Sequence, residues 1–188
     1  PYSSDYGINR GKHDTTAMLL YKGLGVSNIW ENDEIRYFPY WYIYALRPDN
    51  YYLTEGDSRG NHYESNSKKT NSIAYSSLML SNIYDDGYLK ALYNKEKTGI
   101  SGEYLEALIY NDGSIESEDI NKLPYSKYFS YPSGSYIART GWDDNSVIVN
   151  MKVNELSLID HNHQDAGGFQ IYYKGNLATD SGYYQSVR

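Results

Sequence analysis

Two histidines one residue apart are the part of the sequence most suited to chemistry. His161 and His163, the histidine pair, lie in the stretch LIDHNHQDAGGFQIYYKGNLATDSG, although the whole chain has only four histidines. In an extended strand, residues i and i+2 face the same side, so both imidazoles would project together, with Asp165 following if the strand continued. Neutral imidazoles and carboxylates are ligands of first-row metals, with zinc the default. On the spacing alone, histidines that cap turns in a polar loop are an equally good interpretation.

Asp180 adds a third candidate ligand for such a metal. A hairpin turn at Lys174–Asn176 would return the chain beside its preceding strand and bring Asp180 close to residues 163–165. This placement favours a metal site over turn-capping, although a closed tetrahedral site needs a fourth ligand. The chain has no cysteine, so disulfides and thiolate ligands are excluded.

The composition limits the classes of partner. The formal net charge is −7 and the 17 basic residues form no long run, which argues against nucleic acid, because phosphate neutralisation needs clustered Lys and Arg. No stretch approaches the roughly 20 apolar residues of a membrane span, so no membrane partner is expected. The 24 tyrosines provide amphipathic rings that suit binding walls, including sugar-binding clefts.

The first two-thirds of the chain is predicted to be helical. Residues 13–25 have an N-cap in Asp14 or Thr15 and a terminating glycine, and residues 35–46 stop before an Arg-Pro pair. Further helices are predicted at 70–84, 87–96 and 102–110. Segments like these, separated by loops, favour antiparallel helix pairs.

After Pro124 the sequence changes to short β-branched or aromatic runs bounded by turn residues, as strands are. The predicted strands lie in YFSYPSGSYIARTGW, NSVIVNMKV and FQIYYKGNLATDSG. Helices followed by strands predict an α+β fold or two domains. The chain starts at Pro1 and ends a few residues after a predicted strand at 176–179, which alone would leave its partners unaccounted for. We therefore expect a segment of a longer protein.

The long segment RPDNYYLTEGDSRGNHYESNSKK is longer than a plain connection between two helices, and loops of this length are often functional. Its charged residues Glu55, Asp57 and His62 are predicted to be solvated. Arg47 is expected to bond the last carbonyls of the preceding helix. In the RTGW stretch, Arg139 is expected to pair with an acid.

The stretch DHNHQDAGGFQIYYKGNLATDSGYY, preceded by SGSYIARTGWDD, resembles the heparinase II/III-like domain of bacterial polysaccharide lyases. The specific features are the pattern H-x-H-x-D-x-G-x-F and the spaced KG-x-L-A-x-D-S-G. In that family the corresponding β-sandwich follows an (α/α) toroid. The resemblance therefore implies that residues 1–122 are the C-terminal part of the toroid and that residues 123–188 begin an antiparallel β-sandwich domain, here incomplete.

The resemblance, closest to heparinase II, also implies roles for individual residues. His161 would face the substrate in catalysis, while His163 and Asp180 would bind a structural zinc completed by a histidine beyond residue 188. The stretch SSDYGINRGKHD matches the loop that holds the family's catalytic tyrosine. Tyr6 would therefore act as base and acid, with Arg10 as a nearby substrate-binding cation.

Cleavage of a uronic-acid polysaccharide by β-elimination suits such residues. A base removes the C5 proton, cationic or hydrogen-bonding groups neutralise the carboxylate, and an acid protonates the leaving O4. A tyrosine can serve if a nearby positive charge lowers its pKa. The family's carboxylate-neutralising residue is not found in this sequence, so the isolated segment is expected to be inactive.

The resemblance thus implies a bacterial lyase, periplasmic or secreted, that acts on heparin, heparan sulfate or related acidic polysaccharides. Its other partner would be the remainder of its own polypeptide, and a homodimer remains open. The alternatives are a non-catalytic carbohydrate-binding module with a structural metal, an alginate-type lyase of the same family, and a metal-dependent hydrolase built on the histidine pair. A lyase product carries a C4–C5 double bond that absorbs ultraviolet light, whereas a hydrolase gives only new reducing ends and a binding module gives neither.

Overall fold

The structure is a computed structural model that describes residues 6–26, 31, 34–55, 71–97, 104–111, 113–130, 133–153 and 165–179. The chain divides into two compact units. The sheet unit consists of Pro1–Gly7, Tyr44–Lys69 and Leu123–Arg188, and the helical unit consists of Ile8–Ile43 and Thr70–Lys122. Among the described residues, no helix is both long enough and apolar enough to cross a membrane.

The described residues form five α-helices, in the regions where the sequence pattern predicts helices. They are α1 (Tyr6–Gly23), α2 (Glu34–Ala45), α3 (Asn71–Tyr84), α4 (Gly87–Glu96) and α5 (Tyr104–Tyr110). The start predicted for the first helix is wrong, because α1 begins at Tyr6 and already includes Asp14 and Thr15. The Thr15 hydroxyl donates to the Gly11 carbonyl one turn earlier, at 2.7 Å, instead of capping the helix.

In the helical unit, Asp86 connects α2 to α4. It is the N-cap of α4, and its carboxylate accepts from the backbone N–H groups of Tyr88 and Leu89 at 3.0 and 3.1 Å. The same carboxylate accepts from Arg36 Nε at 2.7 Å and from the Tyr40 hydroxyl at 2.9 Å, both on α2. This cluster of ionisable groups therefore serves to cap one helix and to pack another against it.

In the sheet unit, the described strands form one antiparallel sheet in the order in which they occur along the chain. They are β1 (Ser126–Phe129), β2 (Ser135–Arg139), β3 (Ile148–Lys152), β4 (Phe169–Tyr172) and β5 (Asn176–Ala178). The predicted α+β class is confirmed. The turn predicted between the last two strands is also confirmed, with Lys174 at φ +52° and Tyr173 N donating to Gly175 O at 2.9 Å.

The two faces of this sheet differ in polarity. On the open face, Tyr128, Tyr136, Met151 and Phe169 pair directly across four neighbouring strands, and each is 41–59% exposed. An antiparallel sheet with one solvated face normally presents polar side chains on that face. Here the open face presents an apolar row, and the covered face buries polar side chains beside apolar ones such as Ile137 and Ile148. The buried polar side chains are Ser135, Arg139, Asn150, Lys152 and Gln170.

Candidate functional site

The residues predicted to do chemistry are only partly described. Tyr6 is the first residue of α1, and its side chain lies outside the described part. His161, His163 and Asp180 lie outside the described residues altogether. Arg10 is the predicted site residue whose side chain is described. The roles of all five residues therefore stay predictions, and the structure bears on the elements that hold them.

Arg10 lies on the exposed side of α1. Its Nε is 3.6 Å from Asp14 Oδ2, one helical turn away, and the two side chains are 68% and 58% exposed. Exposed pairs of this kind hold their partners weakly. Arg10 can therefore exchange Asp14 for an anionic ligand at little cost, as a substrate-binding cation must.

A tight turn at residues 165–168 follows the histidine pair. Gly168 N donates to Asp165 O at 2.7 Å, and Gly167 has φ +82°, where other residues are strained. A Cβ on Gly168 would lie 2.8 Å from Asp165 O. The strand therefore does not continue back to Asp165, and the two glycines are required where the chain turns into β4.

Thr54 is clamped to the β4–β5 hairpin. The side-chain amide of Gln170, on β4, donates through Nε2 to Thr54 O and accepts from the Thr54 hydroxyl through Oε1 at 3.1 Å. The same hydroxyl is 3.3 Å from Thr179 Oγ1. Thr179 directly precedes Asp180, so the clamp holds the chain that leads to this predicted zinc ligand.

Arg47 links the end of α2 to the hairpin turn. Its Nε and Nη2 donate to the Asp49 carboxylate at 3.0 and 2.7 Å, and its Nη1 donates to Asn176 Oδ1 at 3.1 Å. The guanidinium also lies 5.5 Å from the Tyr51 ring centre and 4.9 Å from that of Tyr172. The predicted bond from Arg47 to the last carbonyls of α2 is therefore wrong, because this side chain turns towards β5 instead.

Arg139 provides the bonds that were expected of Arg47. Its Nη1 donates to Tyr44 O and Leu46 O, each at 2.8 Å, and its Nε donates to Gly141 O at 3.2 Å. Its guanidinium lies 4.7 Å from the Trp142 ring centre. Burial lowers the pKa of Arg139 to about 10, so the side chain stays charged near neutral pH. The prediction that Arg139 pairs with an acid is wrong, because its guanidinium donates to backbone carbonyls instead.

Glu55 is buried rather than solvated, so the prediction for this residue is wrong. Its carboxylate forms an ion pair with Lys152 at the end of β3. The Lys152 ammonium also donates to Ser133 O at 3.1 Å. Asp57 and His62, predicted to be solvated as well, lie outside the described residues.

The metal site predicted from the sequence stays a prediction. Within the part of the chain that the structure describes, no group of three or more His, Cys, Asp or Glu side chains could hold a metal ion. The predicted ligands His163 and Asp180 fall outside that part.

Comparison with known proteins places the chain by its fold. No protein-family model matches it, and no curated protein matches it. The crystal structure of heparinase III has a TM-score of 0.59 at 20% identity, over 96% of this chain and 27% of the other. The heparinase III BT4657 gene product matches with a TM-score of 0.51 at 18% identity, over 82% of this chain and 20% of the other. Heparan sulfate lyase HepC from Pedobacter heparinus matches with a TM-score of 0.50 at 20% identity, over 81% of this chain and 20% of the other.

The match to heparinase III along nearly the whole chain decides the fold. This chain has the fold of a part of heparinase III. The resemblance to heparinase II/III-like lyases, predicted from two motifs, is confirmed at that level. The chain spans between a fifth and about a quarter of the length of these solved structures.

The buried polar contacts of β3 and β4 were missed in the sequence. Asn150 and Lys152 share a face with Ile148 in β3, and Gln170 shares a face with Tyr172 in β4. Polar residues at the inward positions of a strand are the signal that could have found them, because a buried polar group requires a partner. The partners of Lys152 and Gln170 are Glu55 and Thr54, which lie in the long segment after α2.

Proposed function

We propose that this chain is a segment of a polysaccharide lyase that cleaves uronic-acid-containing glycosaminoglycans, of the heparin or heparan sulfate kind, by β-elimination. The observation that carries the proposal is the likeness in fold to heparinase III along 96% of the chain. Another protein of the same fold is a heparan sulfate lyase. The net charge of −7 is compatible with an acidic substrate, because binding requires only local cations such as Arg10.

Each predicted residue has one role in this reaction. Tyr6 removes the C5 proton and returns a proton to the leaving O4, and His161 assists the transfer at the cleft. Arg10 binds an acidic group of the substrate. His163 and Asp180 would hold a zinc ion together with a histidine of the longer polypeptide, and the zinc would supply a structural cross-link.

The proposal extends to the architecture and location of the whole protein. The helices are the end of an (α/α) toroid, and the sheet is one layer of a β-sandwich whose second layer packs on the open face. The exposed row of Tyr128, Tyr136, Met151 and Phe169 supports this packing, because sandwich layers bury apolar side chains between them. The complete enzyme works in the periplasm or outside the cell.

The test is formation of the unsaturated product by the longer polypeptide. We expect ultraviolet-absorbing product from heparan sulfate, heparin or another uronate polymer, and none from residues 1–188 alone. Tyr6→Phe and His161→Ala should each lower kcat by about 10²-fold, as removal of acid–base groups does, at an unchanged melting temperature. Tyr21→Phe, at an exposed position of the same helix, is the control and should leave kcat unchanged. New reducing ends without unsaturation would identify a hydrolase and contradict the proposal.

Elemental analysis separates the structural histidine from the catalytic one. The longer polypeptide should bind about one zinc per chain, and His163→Ala should lose both the zinc and thermal stability, because structural metal binding is linked to folding. His161→Ala should keep both. Release of zinc by His161→Ala, or a metal-free protein with an unchanged melting temperature, would contradict these roles.

A second candidate, a non-catalytic carbohydrate-binding module, is favoured by one observation. The aromatic rings of Tyr128, Tyr136 and Phe169 are exposed in one row, and amphipathic rings such as those of the two tyrosines suit sugar binding. Such a module would bind the polysaccharide through these rings and form no product. Loss of binding in Tyr136→Ala, with no product from the parent, would favour it over the lyase.

A further inference from the structure

Lys152, at the end of β3, connects several chain segments of the sheet unit. Its ammonium pairs with Glu55 and donates to Ser133 O at 3.1 Å. Its backbone bonds the turn that follows the histidine pair, because Lys152 N donates to Gly168 O and Gly167 N donates to Lys152 O, both at 2.9 Å. One residue therefore ties the segment after α2 to the start of β2 and to the approach to β4.

The ion pair is almost completely buried. The side chains of Lys152 and Glu55 are only 9% and 6% exposed. Burial removes the hydration of both charges, and their attraction often does no more than offset that loss, so such a pair is weak evidence for stability. The best attested use of buried polar groups is to fix a register. The pair therefore indicates a requirement for position.

The places of the two residues in the sequence indicate what they position. Glu55 directly precedes residues 56–70, most of the long segment whose length suggests function. Lys152 lies just before residues 154–164, which include the histidine pair. The turn at 165–168, where that segment ends, is the turn that the Lys152 backbone bonds. Both ends of the histidine segment and one end of the long segment thus meet at the ion pair.

We propose that Lys152 and Glu55 are positioning residues, which fix at one point of the sheet the ends of two segments, the long segment after α2 and the segment that carries the histidine pair. This inference rests on the proposed lyase function and deepens it. Both residues act through the backbone that they hold, without touching the substrate.

Amide hydrogen exchange on the full chain tests the positioning without requiring activity. Lys152→Met should speed exchange in residues 51–55 and 165–168, the described ends of the two segments, by about 10-fold or more. The substitution removes the buried pair with Glu55, and with it the contact that fixes the position of the Lys152 backbone beside the turn. Exchange in residues 71–97 should stay as in the parent. Faster exchange throughout the chain, or unchanged exchange in both segments of a folded Lys152→Met protein, would overturn the inference.

Two conservative variants and a control complete the experiment. Lys152→Arg keeps the charge and should stay within about threefold of the parent. Glu55→Gln removes the negative charge but keeps an oxygen that can accept from the Lys152 ammonium, so it replaces Lys152→Met if that variant does not fold. It should speed exchange in the same two segments by about threefold or more. Lys90→Met is the control, because Lys90 is a buried lysine of the helical unit, bonded to Asn111 Oδ1 at 2.7 Å. It should leave both segments unchanged.

Kinetics on the longer polypeptide link the positioning to the reaction. Lys152→Met should lower kcat by about 10-fold or more with a smaller change in KM, because misplaced catalytic groups slow turnover. Lys152→Arg should restore most of the kcat. An active parent whose kcat is unaffected by Lys152→Met would overturn the inference. A parent that forms no unsaturated product would instead overturn the lyase function, and hydrogen exchange would then decide the positioning alone.

Discussion

The covered face of the sheet buries polar side chains among apolar ones, whereas the open face exposes an apolar row. On the covered face, Arg139, Lys152 and Gln170 each bond a partner in residues 44–55. The open face presents a row of Tyr, Met and Phe side chains in direct register. Apolar side chains are thus exposed on one face, whereas several polar side chains are buried on the other.

The difference shows that the covered face is built for specific contacts and the open face for burial. A buried polar group requires a partner in the right geometry, so residues 44–55 fit the covered face in one arrangement. The apolar row has no such requirement and gains from any cover that excludes water. The two faces should therefore respond in opposite ways to similar substitutions.

Breaking the covered face should cost most at Arg139. Arg139→Met removes two hydrogen bonds of 2.8 Å to the carbonyls of Tyr44 and Leu46, which then lose a charged donor. We expect the free energy of unfolding to fall by about 3 kcal/mol. Arg139→Lys should recover only a minor part, because an ammonium does not reproduce the planar guanidinium. Urea unfolding measures both changes.

Arg10→Met is the control for Arg139→Met, because it removes the same kind of charge from an exposed ion pair. Exposed pairs contribute about 0–1 kcal/mol, so the change should be close to zero. A loss at Arg139 no larger than the loss at Arg10 would show that the covered face does not depend on its polar contacts.

The response of the open face should depend on what covers it. Met151 belongs to the apolar row and its side chain is exposed. Met151→Glu should therefore change the free energy of unfolding of residues 1–188 by no more than about 0.5 kcal/mol. In the longer polypeptide, the same variant should cost about 3 kcal/mol, because a second layer would bury the charge without a partner. Urea unfolding of both proteins measures the difference. Equal and small effects would contradict a covering layer.

Local sequence rules predicted the elements of both faces but not the partners across the covered face. The strands follow from alternation and turn residues, and the hairpin turn between β4 and β5 follows from the turn residues at Lys174–Asn176. The start of α1 was missed because Gly7 and Gly11 disfavour helix locally, whereas tertiary packing places Gly11 directly against Phe38.

Arg47 and Arg139 show why the partners were missed. A cation does bond the last carbonyls of α2, as the helix rule predicts. That cation is Arg139, 95 residues from Tyr44, while the adjacent Arg47 turns to Asn176. Glu55 was likewise expected in solvent, because its partner Lys152 is distant in the sequence and no residue near Glu55 indicates the pair. For the candidate site, the motifs predict residue types and order, whereas the supports depend on strand register, which a single sequence leaves open.

Tyr172 tests the difference between the two faces through its pKa, because it is buried on the covered face, whereas Tyr128 and Tyr136 are exposed on the open face. Burial raises the pKa of Tyr172, and the negative charge of Asp49 raises it further, while Arg47 opposes the shift. The folded chain therefore keeps the phenol proton over a range of pH in which the unfolded chain has released it. This contribution to stability is complete below about pH 10 and is lost as the pH rises through the folded pKa.

Tyr172→Phe should remove this dependence on pH, the smallest of the expected effects. Near neutral pH, the lost hydroxyl contacts should lower the free energy of unfolding by about 1 kcal/mol or less. Above about pH 10, the difference between parent and variant should shrink, because only the parent loses stability through ionisation of Tyr172. The other tyrosines are present in both proteins and cancel in the difference. Urea unfolding across this range measures it, and a difference that stays constant up to about pH 11 would show that the covered face does not shift this phenol.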